Sequence, residues 1–185
     1  GDVGTGIICA GIFIEAFRNK GYTERKEYKK YRATIKHADF VTISIGSNDL
    51  LHLIQLDLNM EEMIKRDAHK FDEACVQFAK TFPKIIREIR AVNPDVKIYA
   101  DNIYNPAKGI DAFSQVYSVA DAYINRMNRG FYPSDEYVLV DIKKCFDGEK
   151  ESMVNLSFKG REIDPHPSEK GHKKIAQMVI KAMER

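Results

Sequence analysis

Two short stretches carry side chains whose types and spacing could do chemistry together. In Asp164-Pro165-His166-Pro167-Ser168 a carboxylate stands two residues before an imidazole. An imidazole takes up and returns protons near neutral pH, and a neighbouring carboxylate can orient it and stabilise its protonated form. Pro165 and Pro167 fix their own φ angles and stiffen the chain on either side of His166. This is the base-and-orienter half of a nucleophilic site. The second stretch, Gly46-Ser47-Asn48-Asp49, closes the run Phe40-Val41-Thr42-Ile43-Ser44-Ile45. An Asn amide at the end of a rigid element can donate to an oxygen that becomes negative in a transition state. Each stretch also has a plain structural reading: a surface Asp-x-His, and an Asn that makes a turn.

The elements that must position these residues show as periodicity. Phe40 to Ile45 is nearly all apolar, alternating and rich in β-branched residues. It predicts a buried strand that delivers Gly46 to Asp49 at its carboxyl end. Val96 to Ala100 and Tyr137 to Ile142 predict two more strands, the first running into Asp101-Asn102-Ile103-Tyr104-Asn105-Pro106. Helical spacing connects them. Ile7, Ala10, Ile14 and Phe17 predict a helix stopped by Gly21, and Thr23 is placed to cap a polar helix over Glu24 to His37. The inward residues of that second helix are Tyr28, Tyr31, Ala33 and Ile35. Leu50 to Leu58 reads as a loop with a helical turn. A long helix is expected from Glu61 to Val92, with Phe71, Ala74, Cys75, Phe78, Phe82, Ile85, Ile86 and Ile89 as its apolar stripe. Pro83 is expected to kink or divide it. Phe113, Val116, Tyr117, Ala120, Tyr123, Ile124 and Met127 predict the next helix, stopped near Gly130. Lys143 to Glu162 is a polar connection without a pattern. The last helix follows Pro167, with Ser168 as its N-cap and Ile175, Val179, Ala182 and Met183 facing inward.

This alternation predicts one domain over residues 1–185, built on a parallel sheet with helices on both faces. Right-handed crossovers bring all strand ends to one rim, and open sheets of this kind bind ligands there. The 29 basic and 27 acidic residues leave a net charge of +2, which calls for no nucleic-acid partner. The basic stretch Lys20 to Lys36 includes Glu24 and Glu27 and reads as a solvated helix face. No apolar run is long enough to span a bilayer. Cys9, Cys75 and Cys145 lie far apart, with no Cys/His spacing that implies a metal.

The two stretches together resemble the SGNH (GDSL-type) hydrolases. Ile45-Gly46-Ser47-Asn48-Asp49 resembles the family's GxND block, and Asp164-Pro165-His166-Pro167 with Gly171 resembles its C-terminal Asp/His block before the last helix. The resemblance covers the chain from about residue 40 onward. It implies a flavodoxin-like three-layer α/β/α sandwich that hydrolyses a small-molecule ester, such as a lipid or an acylated carbohydrate, without metal or organic cofactor. His166 would be the general base, Asp164 its orienting carboxylate with Glu162 as a substitute, and Asn48 an oxyanion-hole donor. Gly21-Tyr22-Thr23 resembles a further block whose glycine N–H joins that hole.

The chain also departs from the family pattern. Its Asp and His are separated by one residue rather than two, and Gly1-Asp2-Val3 has no Ser where the family has its nucleophile. Gly1 to Gly6 resembles the glycine-rich loop that follows the nucleophile, so a Ser and a first strand are expected upstream of Gly1. If Val3 instead replaces the Ser, the chain would be a ligand-binding module of the same fold. A signal peptide could lie in the expected upstream segment, which leaves location open between cytoplasmic and secreted. Ser47 lies in no Gly-x-Ser-x-Gly elbow. His172 is expected to face solvent, His52 could approach the site, and Asn102 and Asn105 are expected to form turns. A receiver-like protein would carry a phosphate-binding loop or an acidic cluster at the strand ends, and the sequence has neither. The preferences of the pocket would be set within Leu50 to Met60 and Asp101 to Asp111.

Overall fold

The computed structural model describes residues 26–53, 62, 65–109, 114–155, 157–159 and 162–184. Its centre is three parallel strands: β1 (Phe40–Ser44), β2 (Lys97–Asp101) and β3 (Val138–Val140), in that spatial order. Ser44 lies opposite Asp101, and Asp101 opposite Val140, so the three strands end level and form one carboxyl rim.

The pleat of β2 divides the core in two. Ile98 and Ala100 join Val41 and Ile43 on one face. There they meet α1 (Lys26–Lys36), the long α3 (Ala68–Val92) and α4 (Ser114–Asn128). Tyr99 and Val140 lie on the other face, under Ile142 and Phe146 of α5 (Ile142–Gly148) and Val179 of α6 (Glu169–Met183). The result is a parallel sheet between two helical layers. The α3 stripe is buried along its length except for half-buried Ala74. Its Phe82 ring sits 4.8 Å from Phe131 and 5.2 Å from Tyr137, both edge to face, and ties α3 to the entrance of β3.

Several expectations need correction. Pro83 does not divide α3, which is a single helix starting at Ala68. The apolar stripe continues on both sides of Pro83, with Phe82, Ile85 and Ile86 buried against the core, so packing outweighs the one missing backbone donor. Ala33 is exposed, whereas Tyr28 and Ile35 are buried. The third strand ends at Val140 rather than Ile142, because Asp141 accepts a hydrogen bond from Lys144 N at 3.1 Å and caps α5. The stretch from Lys143 is therefore not patternless. It contains the body of α5 and an antiparallel hairpin of β4 (Ser157–Lys159) and β5 (Glu162–Asp164). The expected Gly1–Gly6 loop, the helix over Ile7 to Lys20, Gly21, Thr23 and Cys9 lie outside the described residues. Cys75 and Cys145 are free thiols.

Candidate active site

The turn after β1 is fixed by shape. Gly46 adopts φ +99°, in the left-handed region that side chains rarely adopt. A Cβ there would stand 2.9 Å from both Ile103 Cδ1 and Phe78 Cε2. Glycine is thus required by conformation and by close approach. The turn opens α2 (Ser47–Leu51), so Asn48 stands in a short helical turn just past the strand end. Asp49 N bonds Gly46 O at 3.2 Å and His52 N bonds Asn48 O at 3.0 Å. Leu50 is buried beneath the turn, while Ser47, Asn48 and His52 are exposed. A groove of about 670 Å³ opens beside it, between Ile45, Asp49 and Leu53 on one wall and Phe78, Thr81 and Phe82 of α3 on the other.

The segment around His166 is fixed by hydrogen bonds. Pro165 and Pro167 have no N–H, so carbonyl oxygens and the flanking residues must anchor the backbone. Tyr104 Oη donates to Pro165 O at 3.0 Å, and Asn155 N to His166 O at 3.0 Å. Ser168 N donates to Met153 O at 2.8 Å, and Val154 bridges to Pro167 in antiparallel sense. Ser168 Oγ then caps α6, accepting from Gly171 N at 3.2 Å. A Cβ on Gly171 would fall on the Met153 carbonyl, which gives that glycine a purely steric reason. His166 is exposed at the head of this clamp, and so is His172 on α6. Asp164 ends β5, its backbone opposite Ser157, and its side chain lies outside the described residues.

Between the two segments, the extension of β2 is stapled by asparagines. Asn102 Nδ2 donates to Asp141 at 2.7 Å while its Oδ1 accepts from Lys143 N at 2.8 Å. Asn128 accepts from Ile103 N and donates to Ile103 O, both at 2.8 Å. Asn105 makes the expected turn, accepting from Ala107 N at 3.0 Å. Asn102 does more than turn the chain, because it joins β2 to the start of α5.

Asp101 is different. It is 8% exposed, and its Oδ1 has no hydrogen-bond partner. It shares the face of Tyr99, and burial pushes its pKa up to about 7. Burial also raises the Cys75 and Cys145 thiols, which argues against a reactive thiolate at either. Among the described residues, no group of three or more His, Cys, Asp or Glu could hold a metal ion. Among the same residues, no helix is long and apolar enough to cross a membrane.

Residues 16–174 match the GDSL-like Lipase/Acylhydrolase family. The chain belongs to that family. Its fold agrees: the lipase Lip_vut3 from a goat rumen metagenome superposes with a TM-score of 0.61 at 22% identity, over 86% of this chain and 70% of that one. Among curated proteins, the uncharacterized protein YpmR of Bacillus subtilis is 25% identical over 173 residues. Those residues are 93% of this chain but 64% of the relative, so the GDSL-like chain spans under two thirds of that relative's length.

Asn48, Asp164 and His166 lie within the matched residues. The fold brings Asn48 and the His166 clamp to the same rim, one at the end of β1 and the other against Tyr104 beyond β2. Gly21 lies outside the described residues. Sequence reasoning passed over Tyr104 and Asn128. Tyr104 had one available signal, a phenol beside a predicted strand end. Asn128 had none, because its partner Ile103 is 25 residues away.

Proposed function

We propose that this GDSL-like chain forms the catalytic core of a serine-dependent ester hydrolase acting on acyl or acetyl esters. The observation that carries this reading is the Tyr104 to Pro165 hydrogen bond, which brings the His166 segment to the strand-end rim where Asn48 stands. In this reading the nucleophile is a Ser upstream of Gly1. His166 takes the Ser proton as the oxygen bonds the ester carbonyl carbon. The carbonyl oxygen becomes negative and is met by the Asn48 amide and the Gly21 N–H. His166 then gives the proton to the departing alcohol, leaving an acyl-serine. Water repeats the sequence and releases the acid. Asp164 holds the imidazole and stabilises its charged form without taking the proton.

The reading assigns acid-base transfer to His166 and charge stabilisation to Asn48, so the two can be tested separately. Replacing His166 by Ala in the full-length protein should abolish turnover of a short p-nitrophenyl ester. The loss of an oxyanion donor in Asn48→Ala should cost on the order of 10²–10³ in kcat. A serine-directed fluorophosphonate should label one Ser upstream of Gly1. Full activity in His166→Ala would remove His166 from the mechanism. A protein that binds ester without labelling or turnover would instead be a nucleophile-less binding module, the reading favoured by Val3.

A further inference from the structure

The Pro165-His166-Pro167 segment has one backbone N–H among three residues, so it cannot be held by an ordinary strand ladder. Its anchors are the carbonyl acceptors on either side of the imidazole. One, His166 O, is met by a neighbouring backbone amide from Asn155. The other, Pro165 O, is met by a side chain from a different layer, the Tyr104 hydroxyl at 3.0 Å. That phenol is itself set by packing. Its ring lies 4.9 Å from the ring of Phe146, which is buried in α5. The root of α5 is tied to β2 by Asn102 through Asp141 and Lys143 N. A continuous connection therefore runs from the end of β2, through Tyr104, to the peptide that carries His166.

We propose that Tyr104 is a positioning residue for His166, fixing the imidazole relative to the strand-end rim through the Pro165 carbonyl. The proposal rests on the reading of His166 as the general base. It assigns Tyr104 no contact with substrate and no proton transfer. Tyr104 holds the Pro165 end of the clamp, while the Asn155 and Ser168 bonds hold the far side. Without the hydroxyl, the ring still packs on Phe146, but the backbone at Pro165 can tilt about the remaining bonds. An imidazole displaced by a fraction of an ångström loses proton-transfer geometry while the fold stays intact.

The test is Tyr104→Phe in the full-length protein, beside His166→Ala and the double variant. Tyr104→Phe should lower kcat on the order of tenfold, with KM changed less than about twofold and the thermal midpoint nearly unchanged. The double variant should be no worse than His166→Ala, because Tyr104 acts only through His166. The His166 ring signals in a ¹³C NMR spectrum should broaden or double in Tyr104→Phe, a readout that does not depend on turnover. Wild-type kcat together with unchanged ring signals would overturn the proposal. A fall in thermal midpoint with kcat retained would also overturn it, and would make Tyr104 a structural residue. If His166→Ala keeps full activity, the general-base reading fails, and the NMR signals alone then decide whether Tyr104 orders the ring.

Discussion

The turn bearing Asn48 and the clamp bearing His166 sit on the same rim but are held by different physics. Around Asn48, a strand runs directly into a helical turn, so the backbone is satisfied within a few residues. What fixes its direction is apolar shape: Phe78 and Ile103 close on Gly46, and Leu50 is buried beneath. Around His166, two prolines remove the local donors, and polar bonds from Tyr104, Asn155 and Met153 take over. The backbone of the first segment should keep its shape on the loss of polar groups but not on added volume. The second should respond to the removal of single donors.

Asp101 offers the largest test, because it stands between the two segments and belongs to neither mode of support. Its carboxyl is buried without a partner for Oδ1, and its pKa is near 7 in the folded chain. An unfolded Asp ionises near 3.8. Below about pH 4 both states hold the proton, and the folded state suffers no penalty. Between about pH 4 and pH 7 the unfolded chain ionises while the folded carboxyl keeps its proton, so this group's contribution to stability is lost progressively over that window and is gone above it. The loss is on the order of 4 kcal/mol. Urea unfolding at pH 4 and pH 8 should show it in the wild type and not in Asp101→Asn. Parallel pH dependence in the two proteins would mean that the carboxyl finds a partner that offsets its burial.

Gly46→Ala addresses the shape-fixed segment. The substitution combines a left-handed φ with contacts at 2.9 Å to two side chains. Backbone strain and overpacking together should cost about 3 kcal/mol, read as a lower urea midpoint at constant m-value. A loss below about 1 kcal/mol would show that Phe78 and Ile103 yield easily and that shape does not fix the turn.

The contrast also explains what could be read from the sequence. The strands β1 and β2, the α3 stripe and the Ser168 cap follow from period and composition, because each depends on residues within a few positions. The positions of Asn48 and His166 at the ends of such elements are legible for the same reason, whereas the roles expected of them come from the paired resemblance and not from period. The helix α5 was missed because its buried side is only Ile142 and Phe146, too little for a periodic signal. The hairpin of β4 and β5 was missed because three-residue strands carry no measurable alternation. The unbroken passage of α3 through Pro83 reflects burial on both sides of the residue, a tertiary effect that local propensity does not contain. The supports of the rim were the least legible. Asn102 reaches Asp141 across 39 residues, and Tyr104 reaches Pro165 across 61.

The smallest effect is expected at Ser168, and it separates two kinds of polar support. Ser168 Oγ accepts from Gly171 N and donates to Met153 O at 3.1 Å. Its backbone N also donates to Met153 O, at 2.8 Å. Ser168→Ala therefore removes the cap of α6 but leaves one bond from the same residue to the same carbonyl. The loss should be about 1 kcal/mol of stability, with kcat for the ester kept within about twofold. Tyr104→Phe should do the reverse, lowering kcat while stability stays. The difference follows from redundancy: the far side of the His166 clamp has a second bond in reserve, whereas the contact from Tyr104 is the one by which β2 reaches the Pro165 carbonyl. A Ser168→Ala variant that lost activity as steeply as Tyr104→Phe would show that the whole clamp moves as one piece, and the distinction between its two sides would fall.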